Sequence, residues 1–204
     1  MRLPIKRIFS SYPRQFWLVV TVMTLAYMFH SMLWPFLIIY ASQKLGLALT
    51  AVTGLLTLNS LVGLVTTFMG GAIADRFGRK WVMVTSLLLC GISWFLFQYA
   101  ESFSVFLLLM ALNGATTPMY RLAADAMMAD IVPADQRMDA YSILRMGNNL
   151  GVALGPAIGG YLSAISYDIS FSTAGIGIFL IGLLVAFFSL ETLSTFKSVP
   201  SAVP

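Results

Sequence analysis

The sequence predicts an all-α integral membrane protein with six transmembrane helices, and two observations lead to that prediction. Hydrophobic residues make up 59% of the 204-residue chain, whereas charged residues make up only 10%. A soluble domain carries about 25% charged residues, so this supply cannot cover a water-exposed surface. The apolar residues also fall into six stretches of about the 20 residues that cross a bilayer.

The six predicted spans follow one another with short connections, so neighbouring helices should be antiparallel. They cover residues 16–40, 50–71, 81–99, 103–128, 141–165 and 171–190. A basic N-terminal segment, 1–15, precedes this helical domain at 16–190, and a polar tail, 191–204, follows it. The first apolar run is too long for a signal-peptide core and lacks a convincing cleavage site, so we expect it to be retained.

We expect the protein to lie in the cell membrane (plasma or inner membrane). The positions of Lys and Arg predict that both termini are on its cytoplasmic side. Nine of the twelve Lys and Arg residues lie in segments on the same predicted side of the membrane. They are Arg2, Lys6, Arg7, Arg14, Arg76, Arg79, Lys80, Arg137 and Lys197. The opposite side has only Lys44. Because the cations are scattered among loops and form no basic face, a nucleic-acid partner is not expected.

Four spans carry polar side chains at membrane depth, where such groups normally face a bundle interior or a wet cavity. We therefore expect the first, second, fourth and fifth spans to surround a polar path, with the third and sixth outside it. The candidate cavity residues are Tyr27, His30 and Trp34 in the first span, Asn59 in the second, Asn113, Tyr120 and Arg121 in the fourth, and Arg145, Asn148 and Asn149 in the fifth.

Several of these residues also have a structural interpretation. Asn59 and Asn113 could form interhelical hydrogen bonds, which amides commonly do in membranes. Arg121 and Asp125, four residues apart on one helix, could form a structural ion pair. Arg145 has no acid one turn away in its own helix, so its partner would be another helix, water or an anionic ligand.

The fifth span contains a glycine at every fourth position, from Gly147 through Gly151 and Gly155 to Gly159. Three consecutive small-xxx-small steps let another backbone approach closely. Pro156 within the stripe removes a helical hydrogen bond. The pattern favours a bending or rocking interface, with simple helix dimerisation as the alternative.

The most polar run, GGAIADRFGRK at 70–80, is a turn and not a phosphate-binding loop. A phosphate loop needs four residues between its glycines and then Lys with Ser or Thr. Here six residues separate Gly71 from Gly78, and Trp81 follows Lys80. Gly78 permits a chain reversal that other residues resist. With no nucleophile elbow or metal-ligand cluster elsewhere in the sequence, we expect no enzyme activity, no cofactor and no metal.

Three segments, in order along the chain, carry a family resemblance. They are Gly71-x-x-x-Asp75-Arg76-x-Gly78-Arg79-Lys80, then Ala129-Asp130-x-Val132-Pro133-x-x-x-Arg137 with Arg145-x-x-Asn148-x-x-Gly151, and Gly151-x-x-x-Gly155-Pro156-x-x-Gly159-Gly160. Together they resemble the N-terminal six-helix half of a major facilitator superfamily transporter, of the drug/proton antiporter branch.

The resemblance implies alternating access around a midplane site, with proton-coupled export of small, drug-like molecules. Asp75 would hold a helix of the second half, and Arg79 would pair with Asp130. Gly155 and Pro156 would form a close, bendable contact across the two halves.

The resemblance also bears on the coupling ion and the partners. The first span lacks an acid, so His30, which can titrate near neutral pH, and Asp125 are the in-span candidates for carrying protons, although a lone histidine is more often a helix contact. Superfamily members typically have twelve spans, so besides the lipid bilayer and a small-molecule substrate we expect a second six-helix half, whether downstream in the same chain, in a separate chain or in a homodimer. Uptake of a metabolite or anion held by Arg145, and a non-transporting six-helix interaction protein, remain alternatives.

Overall fold

A computed structural model of the chain describes residues 12–193, and within that range it is helical with no β-strand. Seven α-helices follow in order: α1 (Arg14–Leu33), α2 (Leu37–Leu45), α3 (Leu49–Phe77), α4 (Arg79–Leu96), α5 (Phe103–Ile131), α6 (Arg137–Ile165) and α7 (Tyr167–Phe188). Most of the predicted basic segment 1–15 and polar tail 191–204 lies outside the described residues, including Arg2, Lys6, Arg7 and Lys197.

Five of the six predicted spans coincide with helices that are long and apolar enough to cross a membrane. These are Arg14–Leu45, Leu49–Phe77, Arg79–Tyr99, Phe103–Ile131 and Tyr167–Phe188. The helix at the fifth predicted span, α6, has 29 residues but is not among the apolar candidates. Its charged and amide side chains lower its hydropathy, so its crossing of the membrane stays a prediction.

The first predicted span is interrupted. The helix ends at Leu33, passes through a turn containing Pro35, and resumes at Leu37. Proline has no N–H to donate and its ring clashes with the preceding turn, which explains the break. α1 and α2 together still form one candidate span of 32 residues.

The helices pack in pairs that place some of them inside and others at the edge. α1 packs on α6, α3 packs on α5, and α4 packs on both α5 and α7. In the most apolar stretch of the span that begins with α4, 61% of the residues are buried inside the bundle, whereas only 11% are buried in the corresponding stretch of α3. α4 is therefore an interior helix of this bundle, and α3 presents a broad face to lipid or to another bundle.

α6 also leaves a broad apolar face without a partner in the described chain. Large exposed hydrophobic side chains on α3 are Leu61, Leu64, Val65, Phe68 and Met69, and those on α6 are Met146, Leu150, Leu154, Ile158 and Tyr161. Surface of this extent marks an interaction site or a lipid contact.

The glycine stripe of α6 lies against α1. A Cβ placed on Gly155 would collide with the side chain of Ser31, and one placed on Gly159 would collide with the carbonyl oxygen of Met32. Ser31 Oγ also donates a hydrogen bond of 3.3 Å to the carbonyl of Gly151. Gly155 therefore makes its close contact with α1 in the described chain, and a contact across two halves stays a prediction.

Candidate functional site

A cavity of about 410 Å³ opens between α1, α3 and α5. Its size lies in the range typical of small-molecule sites. The lining residues are Tyr27, His30, Ser31 and Trp34 around α1, Asn59, Ser60 and Gly63 on α3, Asn113, Gly114, Thr117, Pro118 and Arg121 on α5, and Val152 on α6. Neither α4 nor α7 contributes a lining residue, in agreement with the expected position of the third and sixth spans.

The cavity gathers six of the ten predicted cavity residues and leaves four outside. Tyr120 is only 1% exposed and packs in the core. Arg145 and Asn149 are exposed on α6, and Asn148 is half-buried there. Because the glycine face of α6 is bound to α1, only Val152 of this helix reaches the cavity, so the polar contribution expected from the fifth span is absent there.

Arg121 is the most unusual group in the cavity. Its Cζ lies 4.5 Å from the centroid of the Tyr27 ring, a cation–π contact. Its Nε is buried and has no hydrogen-bond partner. Between residues 12 and 193, both ion pairs of the structure involve Arg79. The predicted structural pair of Arg121 with Asp125 is therefore not formed.

His30 is held by aromatic rings. It stacks on Trp34 with ring centroids 5.3 Å apart and an interplanar angle of 22°. The edge contact with Trp94 of α4 has a centroid distance of 5.5 Å and an angle of 81°. His30 Nδ1 is buried without a hydrogen-bond partner. The imidazole thus forms part of an aromatic wall, with one nitrogen unsatisfied.

The two amides of the cavity also bind the bundle together. Asn59 Nδ2 donates a hydrogen bond of 2.9 Å to the carbonyl of Met110, which joins α3 to α5. Asn113 is 1% exposed and accepts a hydrogen bond of 3.3 Å from Thr117 Oγ1. Asn113 Nδ2 also lies 3.8 Å from Cys90 Sγ on α4. The structural interpretation of Asn59 is correct, and it coexists with a place in the cavity wall.

A second cavity, of about 530 Å³, lies where α3 meets α4, at the polar run 70–80, which we call the signature segment. Its lining residues are Gly71, Ala74, Asp75, Arg79, Leu122, Asp125, Ala126, Ala129, Asp130, Arg137 and Tyr141. Asp125 therefore belongs to this cavity, one helical turn away from Arg121. The two predicted proton carriers, His30 and Asp125, lie in different cavities.

Arg79 organises the second cavity. Its guanidinium pairs with Asp130 and lies 3.5 Å from Asp75. Nη1 also donates a hydrogen bond of 2.7 Å to the carbonyl of Ala126. The Asp130 side chain is 9% exposed, whereas that of Asp75 is 64% exposed. The pairing of Arg79 with Asp130 implied by the resemblance is present, and Asp75 remains accessible for a further contact.

The turn itself consists of one residue. α3 ends at Phe77 and α4 begins at Arg79, so Gly78 alone, with φ of 93°, reverses the chain. The guanidinium of Arg76 lies 5.6 Å from the Phe77 ring, and Lys80 Nζ lies 5.3 Å from the Trp81 ring. Cations beside aromatic rings are typical of a membrane–water boundary.

Sequence reasoning missed Glu191. Its carboxylate accepts hydrogen bonds from the backbone N–H groups of Arg79, at 3.0 Å, and Lys80, at 3.2 Å. The first N–H groups of a helix have no partner within the helix, and α4 has no acid in its own first turn. That missing cap was the available signal, since it required an acceptor from elsewhere in the chain.

The family can now be assigned from comparison with known proteins. The family model of the Major Facilitator Superfamily matches residues 19–202. The chain belongs to this superfamily. This membership confirms the family resemblance drawn from the three motif segments.

Two relatives show how much of such a protein the chain represents. It is 31% identical over 169 residues to a Na(+), Li(+), K(+)/H(+) antiporter of Planococcus maritimus, covering 80% of this chain and 39% of the antiporter. It is 30% identical over 141 residues to the quinolone resistance protein NorA of Staphylococcus aureus, covering 69% of this chain and 36% of that protein. The chain therefore spans less than half the length of these relatives.

Solved structures support the fold. A peptide transporter POT in complex with sulfate superposes with a TM-score of 0.79 at 19% identity, covering 94% of this chain and 42% of that one. The human organic anion transporter MFSD10 superposes with a TM-score of 0.69 at 19% identity, covering 93% of this chain and 49% of that one. At this identity the likeness concerns the arrangement of helices alone.

Proposed function

We propose that this chain forms the N-terminal half of a secondary active transporter that exports small, lipophilic, drug-like molecules by alternating access in exchange for protons. The observation that carries the proposal is the cavity of about 410 Å³ among α1, α3 and α5. Its wall combines aromatic rings with amide and hydroxyl groups, the mixture that small-molecule sites use for affinity and orientation.

A second six-helix half completes the proposed transporter. The exposed apolar faces of α3 and α6 favour this arrangement, because they flank the helices that line the cavity. The relatives, of which this chain covers 39% and 36%, are long enough to contain such a half. In the proposed topology α6 is the remaining span and both termini are cytoplasmic.

The signature segment acts as the proposed gate. Asp75 is exposed beside Arg79, so its carboxylate is free to hold a helix of the second half while the transporter faces outward. Breaking that contact would accompany the rocking of one bundle against the other. If the chain were a non-transporting interaction protein, Asp75→Asn would have no effect on any flux.

The names of the two relatives, an antiporter and a quinolone resistance protein, support an exchange of drug-like molecules for cations. His30 and Asp125 are the proposed proton carriers, because each is a titratable side chain in a membrane-embedded helix and lines a cavity.

The experiment is a flux measurement on the complete protein in inside-out membrane vesicles. Energised vesicles should accumulate ethidium or a quinolone, and dissipating the proton gradient with nigericin should abolish the accumulation. Accumulation that persists without the gradient would refute proton coupling. Absence of any accumulation of either compound, relative to vesicles without the protein, would refute drug export.

A further inference from the structure

We propose that Arg121 binds an anionic group of the transported molecule, so that the cavity selects aromatic molecules carrying a carboxylate. The proposal rests on the transport function proposed above and specifies the chemical class of its substrate. It assigns to the cavity a charge-recognition site on α5, at a position where Arg145 had been the candidate from sequence.

Arg121 forms no ion pair with any carboxylate of the described residues, and Asp125 acts on it only electrostatically, without direct contact. The Nε of Arg121 is buried without a hydrogen-bond partner. Asp125 is four residues away, which is close enough for a pair on one helix. It lines the second cavity instead, together with Arg79 and Asp130.

The charge of the cavity wall also favours an anionic ligand. None of its thirteen lining residues is Asp or Glu, and Arg121 is the single permanently charged side chain among them. A lone charge at membrane depth is costly and normally pairs with a counterion. An anionic group in the cavity would provide that partner.

The geometry of the Arg121 side chain suits a carboxylate. The guanidinium lies over the Tyr27 ring at 4.5 Å, and stacking of this kind restricts the orientation of its plane. An arginine held in this way presents paired N–H donors whose spacing matches a carboxylate. The stacked rings of His30 and Trp34 line the same cavity. They offer a surface for a planar aromatic body attached to that carboxylate.

The experiment is equilibrium binding to the purified complete protein by isothermal titration calorimetry, without any ion gradient. The probes are benzoate, naphthoate and nalidixate, each compared with its neutral amide. We expect at least one carboxylate to bind about ten- to a hundredfold more tightly than its amide, as a charge-assisted hydrogen bond predicts. Arg121→Gln should remove this preference, and Arg121→Lys should retain part of it.

The matched comparison is Arg145→Gln, which makes the same change at an arginine outside the cavity and should leave the preference unchanged. Circular dichroism and size-exclusion chromatography check that each variant is folded. The proposal is overturned if no carboxylate binds more tightly than its amide, which is the result expected when an acid of the second half already occupies Arg121. It is also overturned if the preference survives in Arg121→Gln or is lost in Arg145→Gln.

Binding and transport can fail separately in these experiments. A carboxylate preference without gradient-driven accumulation would refute the proposed drive but leave the anion site in place. Accumulation of ethidium without a carboxylate preference would support drug export and refute the anion site.

Discussion

The carboxylate of Glu191 accepts a hydrogen bond of 3.0 Å from the backbone N–H of Arg79, and so caps α4 from the segment that follows α7. The neighbouring N–H of Lys80 donates to the other carboxylate oxygen. Arg79 also carries the ion pair with Asp130. The chain leaving this bundle is thereby fixed to the residue that organises the signature segment.

Removing this cap should destabilise the start of α4. We expect Glu191→Ala to lower the free energy of unfolding by about 1 kcal/mol, because two N–H groups at a helix N-terminus lose a charged acceptor. The amides of Arg79 and Lys80 should also exchange hydrogen faster. Thermal unfolding in detergent and hydrogen exchange measure both effects. Glu101→Ala, which removes an exposed acid from the connection before α5, is the control and should change neither quantity.

The close contact of α6 with α1 predicts a second stability difference. In Gly159→Ala the new methyl group would collide with the carbonyl oxygen of Met32, which belongs to a helix backbone and cannot move alone. Overpacking of this kind typically costs about 1–3 kcal/mol. Gly54→Ala is the matched control on α3, since a Cβ there meets no atom within 4 Å. The control should be neutral or slightly stabilising, because alanine favours helix over glycine. Equal unfolding temperatures for the two variants would contradict the packing seen between α1 and α6.

Filling the main cavity should block transport without unfolding the protein. Ser60 lines the cavity and is exposed, so the indole in Ser60→Trp would occupy space that the substrate needs. We expect at least about a tenfold loss of vesicle accumulation, the consequence of losing roughly 1.4 kcal/mol of binding. Thr57→Trp places the same bulky residue at an exposed position of α3 that does not line the cavity. That variant should keep its flux, and a similar loss in both would point to a general effect on α3.

The sequence predicts where the helices lie better than it predicts which helices pack against each other, and the reasons are physical. Hydropathy locates five of the six predicted spans. The break at Pro35 was not predicted, although the missing N–H of proline explains it. The partner of the glycine stripe could not be read from the sequence, because a small-residue face specifies a close approach but not which helix approaches. Arg145 was predicted to be a cavity residue for the same reason. The sequence shows how far along α6 it lies, but not which neighbouring element its side of the helix faces.

Local spacing also predicted one ion pair that the structure does not contain among the described residues. Arg121 and Asp125 have the separation of a helical ion pair, yet the cation–π contact with Tyr27 takes the guanidinium into the main cavity. Glu191 illustrates the converse, because its partners are more than 100 residues away in the chain. A long-range cap leaves no periodic signal in the sequence.

The two acids beside Arg79 should separate stability from transport. Asp130 is nearly buried and pairs with Arg79. Asp130→Asn would therefore leave the mostly buried guanidinium with only its longer contact to Asp75 and its hydrogen bond to Ala126. Removing one partner of a buried polar pair costs about 1–3 kcal/mol, and we expect a marked fall in the unfolding temperature. Asp75 is exposed at 3.5 Å from the same arginine, a surface pair worth about 0–1 kcal/mol. Asp75→Asn should therefore leave stability almost unchanged while slowing vesicle accumulation, because its proposed partner lies in the second half. Unfolding in detergent and flux in vesicles test the two parts independently, and an Asp75→Asn protein with normal flux would remove the signature segment from the proposed gate.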